Sequence, residues 1–385
     1  MINSQKWLSI NFAAFFFTWG VFLPYWTGWL TNEKGLSVLH ASIIMGAGMV
    51  ARGISTFVFF PVATKLLSIR RVMTWTAFAS LLIMTLYIFV DTFIPLLIIT
   101  IVFSLVYPNL LPAMESSASV LIQTERIHYG KSRSFGSIGY TVGLLLIGAV
   151  TAIWNEQAIL WVMLIGLASM WYLHTRPAPS SLTIKPEIRE GKNKKSEVKR
   201  LISSKPFVTV LVLSILLQGA HASYYNYGFI YLQDLGVNSF YIGVVLIVAV
   251  LLEILFFARA DFFFIKTKIS TMYLIAAGGS TLRWILIFLF PTVWVFIFSQ
   301  LLHAVSFGVA HYAFIQFISK RLSQNEIPTA QGMYASLAMG LSTAILTFIG
   351  GYLYEISPGL AFLGMTLCTI PSFFIVLLTR KKLSY

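Results

Sequence analysis

The chain has 385 residues, 58% of them hydrophobic and only 10% charged, with a mean hydropathy of +0.82. Soluble domains carry about 25% charged residues, which excludes an ordinary soluble fold. The net charge of +14 would suit nucleic acid, but the charges sit in short gaps between long apolar runs, so no nucleic-acid partner is expected.

Twelve apolar segments approach the roughly 20 residues that cross a bilayer as a helix. They are 8–30, 40–62, 72–90, 93–121, 135–154, 157–175, 206–233, 239–259, 270–289, 292–319, 328–354 and 358–379. The first is too long for a signal-peptide core and is read as a span. It is rich in rings: Trp19, Phe22, Tyr25, Trp26 and Trp29. Trp26 and Trp29 fit either an interfacial belt or an aromatic wall for a planar ligand. The second span carries Gly46-Ala47-Gly48, which lacks the preceding strand of a phosphate-binding loop, and the charged Arg52. Ala47, Ala51 and Ser55 repeat every four residues, as do Gly139 and Gly143, and Gly332, Ser336 and Gly340. Such small-residue faces let helices approach closely in lipid.

Pro24, Pro108 and Pro112 should kink their spans. The fourth span holds Glu115, the eighth Glu253 and the ninth Arg283. Each buried charge costs about 2.5–3.5 kcal/mol at a helix centre, so these residues and Arg52 should face the protein interior. They serve either substrate binding and proton relay or two neutralising ion pairs. In the seventh span, Gln218, His221 and Tyr225 fall on one helix face, as do Gln300, His303, Phe307 and His311 in the tenth. Histidine titrates near neutral pH and suits a coupling proton. The alternative is a histidine hydrogen-bonded between helices. No pair has HExxH spacing and Cys368 is the single cysteine, so neither a metal site nor an internal disulfide is expected.

Apart from Lys34, Arg52 and Arg283, all of the 27 Lys and Arg lie at the two chain ends or in the even-numbered gaps. Cytoplasmic loops carry the Lys/Arg excess, so both termini are expected in the cytoplasm, with basic loops facing anionic membrane lipid. Residues 176–205 form the one long polar stretch, read as a solvated cytoplasmic linker between a 1–175 half and a 206–385 half. A shift of 201 residues places Gly35 on Gly236 and Arg52 on Glu253. Two six-helix halves with a parallel repeat make up a transporter architecture in which substrate binds at the midplane.

Several stretches carry a family resemblance: Gly20-Val21-Phe22-Leu23-Pro24-Tyr25-Trp26, Gly46 to Arg52, Tyr129 to Ser137, Leu217 to Tyr225, and Ala338-Met339-Gly340. Along its whole length the chain resembles the phenylpropionate permease branch of the major facilitator superfamily, itself similar to lactose permease. The resemblance implies an all-α membrane protein of 12 transmembrane helices, the major facilitator fold. By the likeness to lactose permease, Glu115 and Arg133 match the acid and arginine that bind its sugar. Tyr140 falls where that family has a ring-stacking tryptophan. Arg283 and His303 match part of its proton-coupling site. The acid three residues after that histidine is here Ser306, and a neighbouring lysine is Gln300. A coupling proton would therefore use Glu253, Glu115, His221 or His311. The apolar-run count leaves Arg133 in a loop, whereas the resemblance draws it into the fifth span.

The expected function is secondary transport in the bacterial inner membrane: import of a small aromatic acid such as 3-phenylpropionate with a proton. No cofactor other than the proton gradient is implied, and a monomer is expected. Arg52 and Arg133 suit a carboxylate because a guanidinium binds both oxygens, while Tyr25, Trp26, Tyr140, Gln218 and Tyr225 complete the candidate binding set. The alternatives are a sugar or nucleoside symporter, or an exporter. A membrane enzyme would need a catalytic constellation that the sequence does not contain. A receptor on a transporter scaffold is a third class.

Overall fold

A computed structural model describes residues 3–36, 38–184, 197–237 and 239–381. They are helical, with no strand among the described residues. Eleven helices are long and apolar enough to span a membrane. They are α1 (Ser4–Glu33), α2 (Ile43–Leu66), α3 (Ile69–Phe89), α4 (Phe93–Glu125), α5 (Tyr129–Thr151) and α6 (Gln157–Thr175), then α7 (Lys205–Asp234), α9 (Ile269–Leu289), α10 (Val293–Arg321), α11 (Ile327–Ile356) and α12 (Pro358–Thr379). The helix α8 (Ser239–Phe264), 26 residues long, occupies the place of the eighth expected span. At 1.5 Å per residue it reaches about 39 Å, enough to cross. The chain is an all-α integral membrane protein, as its apolar runs implied.

Short polar caps set where helices begin. Asn3 accepts from the Lys6 amide at 2.9 Å, Ser68 from Arg71 at 3.4 Å and Thr292 from Val295 at 3.3 Å. Each satisfies an amide that the first helical turn cannot pair. Gly35 and Gly236, the pair matched by the 201-residue shift, both take a positive φ, +64° and +81°. They end α1 and α7 in the left-handed conformation that glycine adopts without steric cost.

The residues group into two compact units: Met1–Lys192 with Ser323–Gly332, and Asn193–Leu322 with Met333–Tyr385. In the first unit, α1 lies directly against α5. A Cβ on Gly20 would stand 2.5 Å from the Tyr140 carbonyl oxygen. One on Gly139 or Gly143 would strike the carbonyls of Ala13 and Phe17. The Gly139 and Gly143 repeat is thus a contact between helices. Side-chain hydrogen bonds tie other pairs: Thr18 to Tyr107 at 2.7 Å, Tyr87 to Thr100 at 2.7 Å, and in the second unit Ser214 to Tyr273 at 2.8 Å and Thr281 to Thr369 at 2.7 Å. In lipid, such contacts and close packing take the place of a hydrophobic driving force.

Pro108 breaks α4 as expected, at the 3-10 turn Tyr107–Asn109. The Leu105 carbonyl there accepts from the Asn109 amide at 2.8 Å and from the Ser55 hydroxyl. Wider π turns interrupt α1 at Trp29–Glu33, α2 at Ser55–Phe59, α10 at Ala304–Val309 and α11 at Tyr334–Leu341.

Two expectations change. The helix α5 starts at Tyr129, not 135, because the polar residues of its first turns have partners inside the protein. The 176–205 segment is not solvated throughout: Leu182 is buried, and Glu197–Ser203 is a helix with Leu201 buried. Lys185, Arg189, Lys192, Lys194 and Lys195 lie outside the described residues.

Candidate functional site

Each unit holds a polar cluster inside its apolar helices. In the first, Glu115 of α4 and Arg133 of α5 form an ion pair, Nε to Oε1, at 3.5 Å, with both side chains buried. The Tyr129 hydroxyl donates to the other Glu115 oxygen at 2.9 Å. The Arg133 guanidinium also lies 4.3 Å from the Phe16 ring centre. The early start of α5 carries Arg133 into the interior, so the loop placement drawn from apolar-run length is corrected. The reading of two ion pairs among Arg52, Glu115, Glu253 and Arg283 is corrected too. Glu115 pairs with Arg133, and no carboxylate lies within ion-pair distance of Arg52 or Arg283 among the described residues.

The same unit holds a pocket between α1, α2 and α4, which neither Glu115 nor Arg133 lines. Its walls include Trp19, Phe22, Arg52, Phe103 and Tyr107. Phe103 stacks on Tyr107 with ring centres 4.8 Å apart, and Trp19 on Tyr107 at 5.8 Å. The Arg52 guanidinium sits over Trp19, 4.7 Å from its ring centre. Gly48 makes room here: a Cβ on it would meet the Ser104 hydroxyl at 2.8 Å. Within Gly46-Ala47-Gly48, Gly48 is therefore a contact between helices, while a Cβ on Gly46 would meet nothing within 4 Å.

Trp26 and Trp29 are fully buried and stacked 4.5 Å apart, with Tyr87 edge-on to both. The interfacial-belt reading is corrected, since a belt residue would meet the lipid headgroups. Neither Tyr25, Trp26 nor Tyr140 lines the pocket; the Tyr25 hydroxyl instead points at Gly148. Trp19, Phe103 and Tyr107 do, and were absent from the expected binding set. The i, i+3 spacing of Trp19 and Phe22 was the available signal.

In the second unit, Arg283 of α9 is fully buried. It donates to His303 Nδ1 at 3.0 Å and to Gln300 Oε1 at 3.4 Å. Tyr224 and Trp284 offer ring faces 4.4 and 4.6 Å from its guanidinium carbon. His221 meets Ser306 at 3.0 Å through Nε2 and the Leu217 carbonyl at 2.9 Å through Nδ1. Those partners fix its tautomer with the proton on Nδ1. The Arg283 donor likewise leaves His303 Nδ1 as an acceptor.

The helix α7 turns at Ala220 and His221, and the expected common face is kept in part: the His221 and Tyr225 rings stack with centres 6.0 Å apart. Gln218 donates to the Tyr334 hydroxyl at 3.0 Å, His221 turns to Ser306, and Tyr225 is 51% exposed. On α10 the expected ladder holds. His303, Phe307 and His311 stack with interplanar angles of 4° and 1°. His311 Nδ1 meets Tyr334 at 2.8 Å. Glu253 is half-buried and has no ion pair with Arg283.

The model of the MFS_1 like family matches residues 6–363. A probable 3-phenylpropionic acid transporter of Escherichia coli (strain K12) is 29% identical over 383 residues, 97% of this chain and 98% of that one. Among solved structures, a bacterial homologue of the iron transporter ferroportin has a TM-score of 0.79 at 11% identity, covering 99% of this chain and 100% of that one. A mutant of the nucleoside transporter NupG has a TM-score of 0.64 at 18% identity, covering 98% and 99%.

Proposed function

The chain belongs to the MFS_1 like family and is a secondary transporter rather than an enzyme, and from that premise we propose that it imports a small aromatic carboxylic acid of the 3-phenylpropionate class together with a proton. One observation carries this reading. The pocket of the first unit sets a guanidinium without a carboxylate partner, Arg52, among the rings of Trp19, Phe22, Phe103 and Tyr107. A planar guanidinium binds both oxygens of a carboxylate, and stacked rings suit the flat apolar remainder of an aromatic acid. A sugar or nucleoside brings neutral hydroxyls and would leave Arg52 without a counter-charge. The similarity to the probable 3-phenylpropionic acid transporter supports the same substrate class.

For the proton, Glu115 is the leading candidate. It is buried, with Arg133 at one carboxylate oxygen and the Tyr129 hydroxyl at the other. Ionisable side chains inside a membrane bundle are the usual elements of a proton relay. Arg283 donates to His303 Nδ1, so His303 takes a proton there only by giving up that bond. We place the protein in the bacterial inner membrane with both termini cytoplasmic, on the charge alternation of its loops.

Purified protein tested for thermal shift should respond to 3-phenylpropionate, and Arg52→Gln should abolish that shift while leaving the melting temperature without ligand close to wild type. A shift that survives in Arg52→Gln removes this arginine from the substrate site. For the coupled proton, Glu115→Gln should still exchange substrate but lose substrate-driven alkalinisation outside vesicles. Retained alkalinisation excludes Glu115 as the carrier.

A further inference from the structure

Three arginines lie inside the apolar helices, and the charge of each is met differently. Arg133 has Glu115 at 3.5 Å. Arg52 is half-buried and opens into the aromatic pocket. Arg283 is fully buried, with no carboxylate in ion-pair distance among the described residues. Its partners are neutral: His303 at 3.0 Å, Gln300 at 3.4 Å, Tyr224 through its hydroxyl and its ring face, and the ring face of Trp284. Neutral acceptors and ring quadrupoles soften a buried cation without cancelling its charge.

The hydrogen bonds around Arg283 are unbalanced in the same sense. Arg283 Nε, Gln300 Nε2 and Trp284 Nε1 are buried N–H groups with no acceptor among the described residues. Gln300 points its oxygen at Arg283, so its N–H groups are the ones left over. The cluster therefore has surplus donors and surplus positive charge together. A neutral acceptor would answer only the first; a small anion answers both. One unpaired cation calls for one negative charge, which favours a monovalent ion over sulfate or a phosphate dianion.

We infer that Arg283, with Gln300 and Trp284, forms a binding site for a small monovalent anion, supplied as a halide ion or as the carboxylate of a small acid. Ser306 and His303 fit this assignment: neither brings negative charge to the cluster. Glu253 is the competing counter-charge. It lies within electrostatic range of Tyr224 and Tyr225, as Arg283 does, but outside ion-pair distance of Arg283. The inference stands apart from the substrate assigned to Arg52.

The test is thermal stability of the purified transporter, titrated with sodium chloride against a bulky sodium sulfonate at equal ionic strength. Chloride should raise the melting temperature saturably. Arg283→Met should raise the half-saturating concentration about tenfold or more. Gln300→Leu keeps the cation, removes one donor and should weaken chloride by a smaller factor, so the test survives if Arg283→Met fails to fold. A 3-phenylpropionate arm separates the two sources. If the acid competes with chloride, the site takes a carboxylate. If Arg52→Gln loses the acid response and keeps the chloride response, the site takes a halide. The inference is overturned if chloride and sulfonate give the same melting curve. It is equally overturned if the chloride response is unchanged in both variants, or if a response arises only in Glu253→Gln, which would make Glu253 the counter-charge. Failure of the acid to bind anywhere would count against the transport substrate and leave this site intact.

Discussion

Arg133 shows how a single side chain divides what run length can reveal from what pairing can. Counting apolar residues stops at a cluster such as Lys131-Ser132-Arg133, because water is the usual partner of such groups. Here the partner is Glu115, eighteen residues earlier in the chain, and only a resemblance to a known family linked the two. Removing one member of a buried pair leaves the other charge stranded, at about 3–5 kcal/mol. Arg133→Met should therefore lower the melting temperature strongly, while Arg133→Met with Glu115→Gln should recover much of the loss. Equal losses in the single and double variants would show that the pair is not what stabilises α4 against α5. The pocket ring Trp19 was hard to read for a different reason. The span α1 is apolar on every side, and lipid and protein interior are alike to an apolar side chain, so hydrophobicity does not mark its inward face.

Helix number and order followed from the lengths of the apolar runs and from the polar gaps, which a bilayer dictates directly. Helix ends were less accessible, and the π turns at Ser55–Phe59, Ala304–Val309 and Tyr334–Leu341 left no signal in residue spacing. The turn in α10 runs through the cluster in which His303, Phe307 and His311, four residues apart, stack nearly parallel. The small-residue repeat of α5 was visible in the sequence, and its partner was not. Because a Cβ on Gly139 would strike the Ala13 carbonyl, Gly139→Val should force α1 and α5 apart and cost about 1–3 kcal/mol, the range for overpacking a fitted interior. Gly28 has nothing within 4 Å of a built Cβ. Gly28→Ala should be neutral or stabilising by up to about 1 kcal/mol through helix propensity. Melting temperatures of the two variants in detergent decide this; equal effects would mean that the α1–α5 contact is not sterically limited.

At the scale of the whole molecule, the proposed orientation would account for the net +14 by gathering the basic loops on the cytoplasmic side. Lys34, the one basic residue in an odd-numbered gap, is paired with Asp91 at 2.5 Å, so it adds no net positive charge to that side. Cysteines placed singly at Gly35 and at Ser323 in a Cys368→Ser background should label from opposite faces, Gly35 from outside the cell. Labelling of both from one face would contradict the assigned topology. The central claim is that Arg52 and its ring-lined pocket select aromatic carboxylates for transport. Counterflow of radiolabelled 3-phenylpropionate in proteoliposomes tests it most directly. The account predicts exchange driven by aromatic acids, none driven by maltose or nucleosides, and loss of exchange in Arg52→Gln. Exchange driven by a sugar or nucleoside alone, or full exchange in Arg52→Gln, would contradict it.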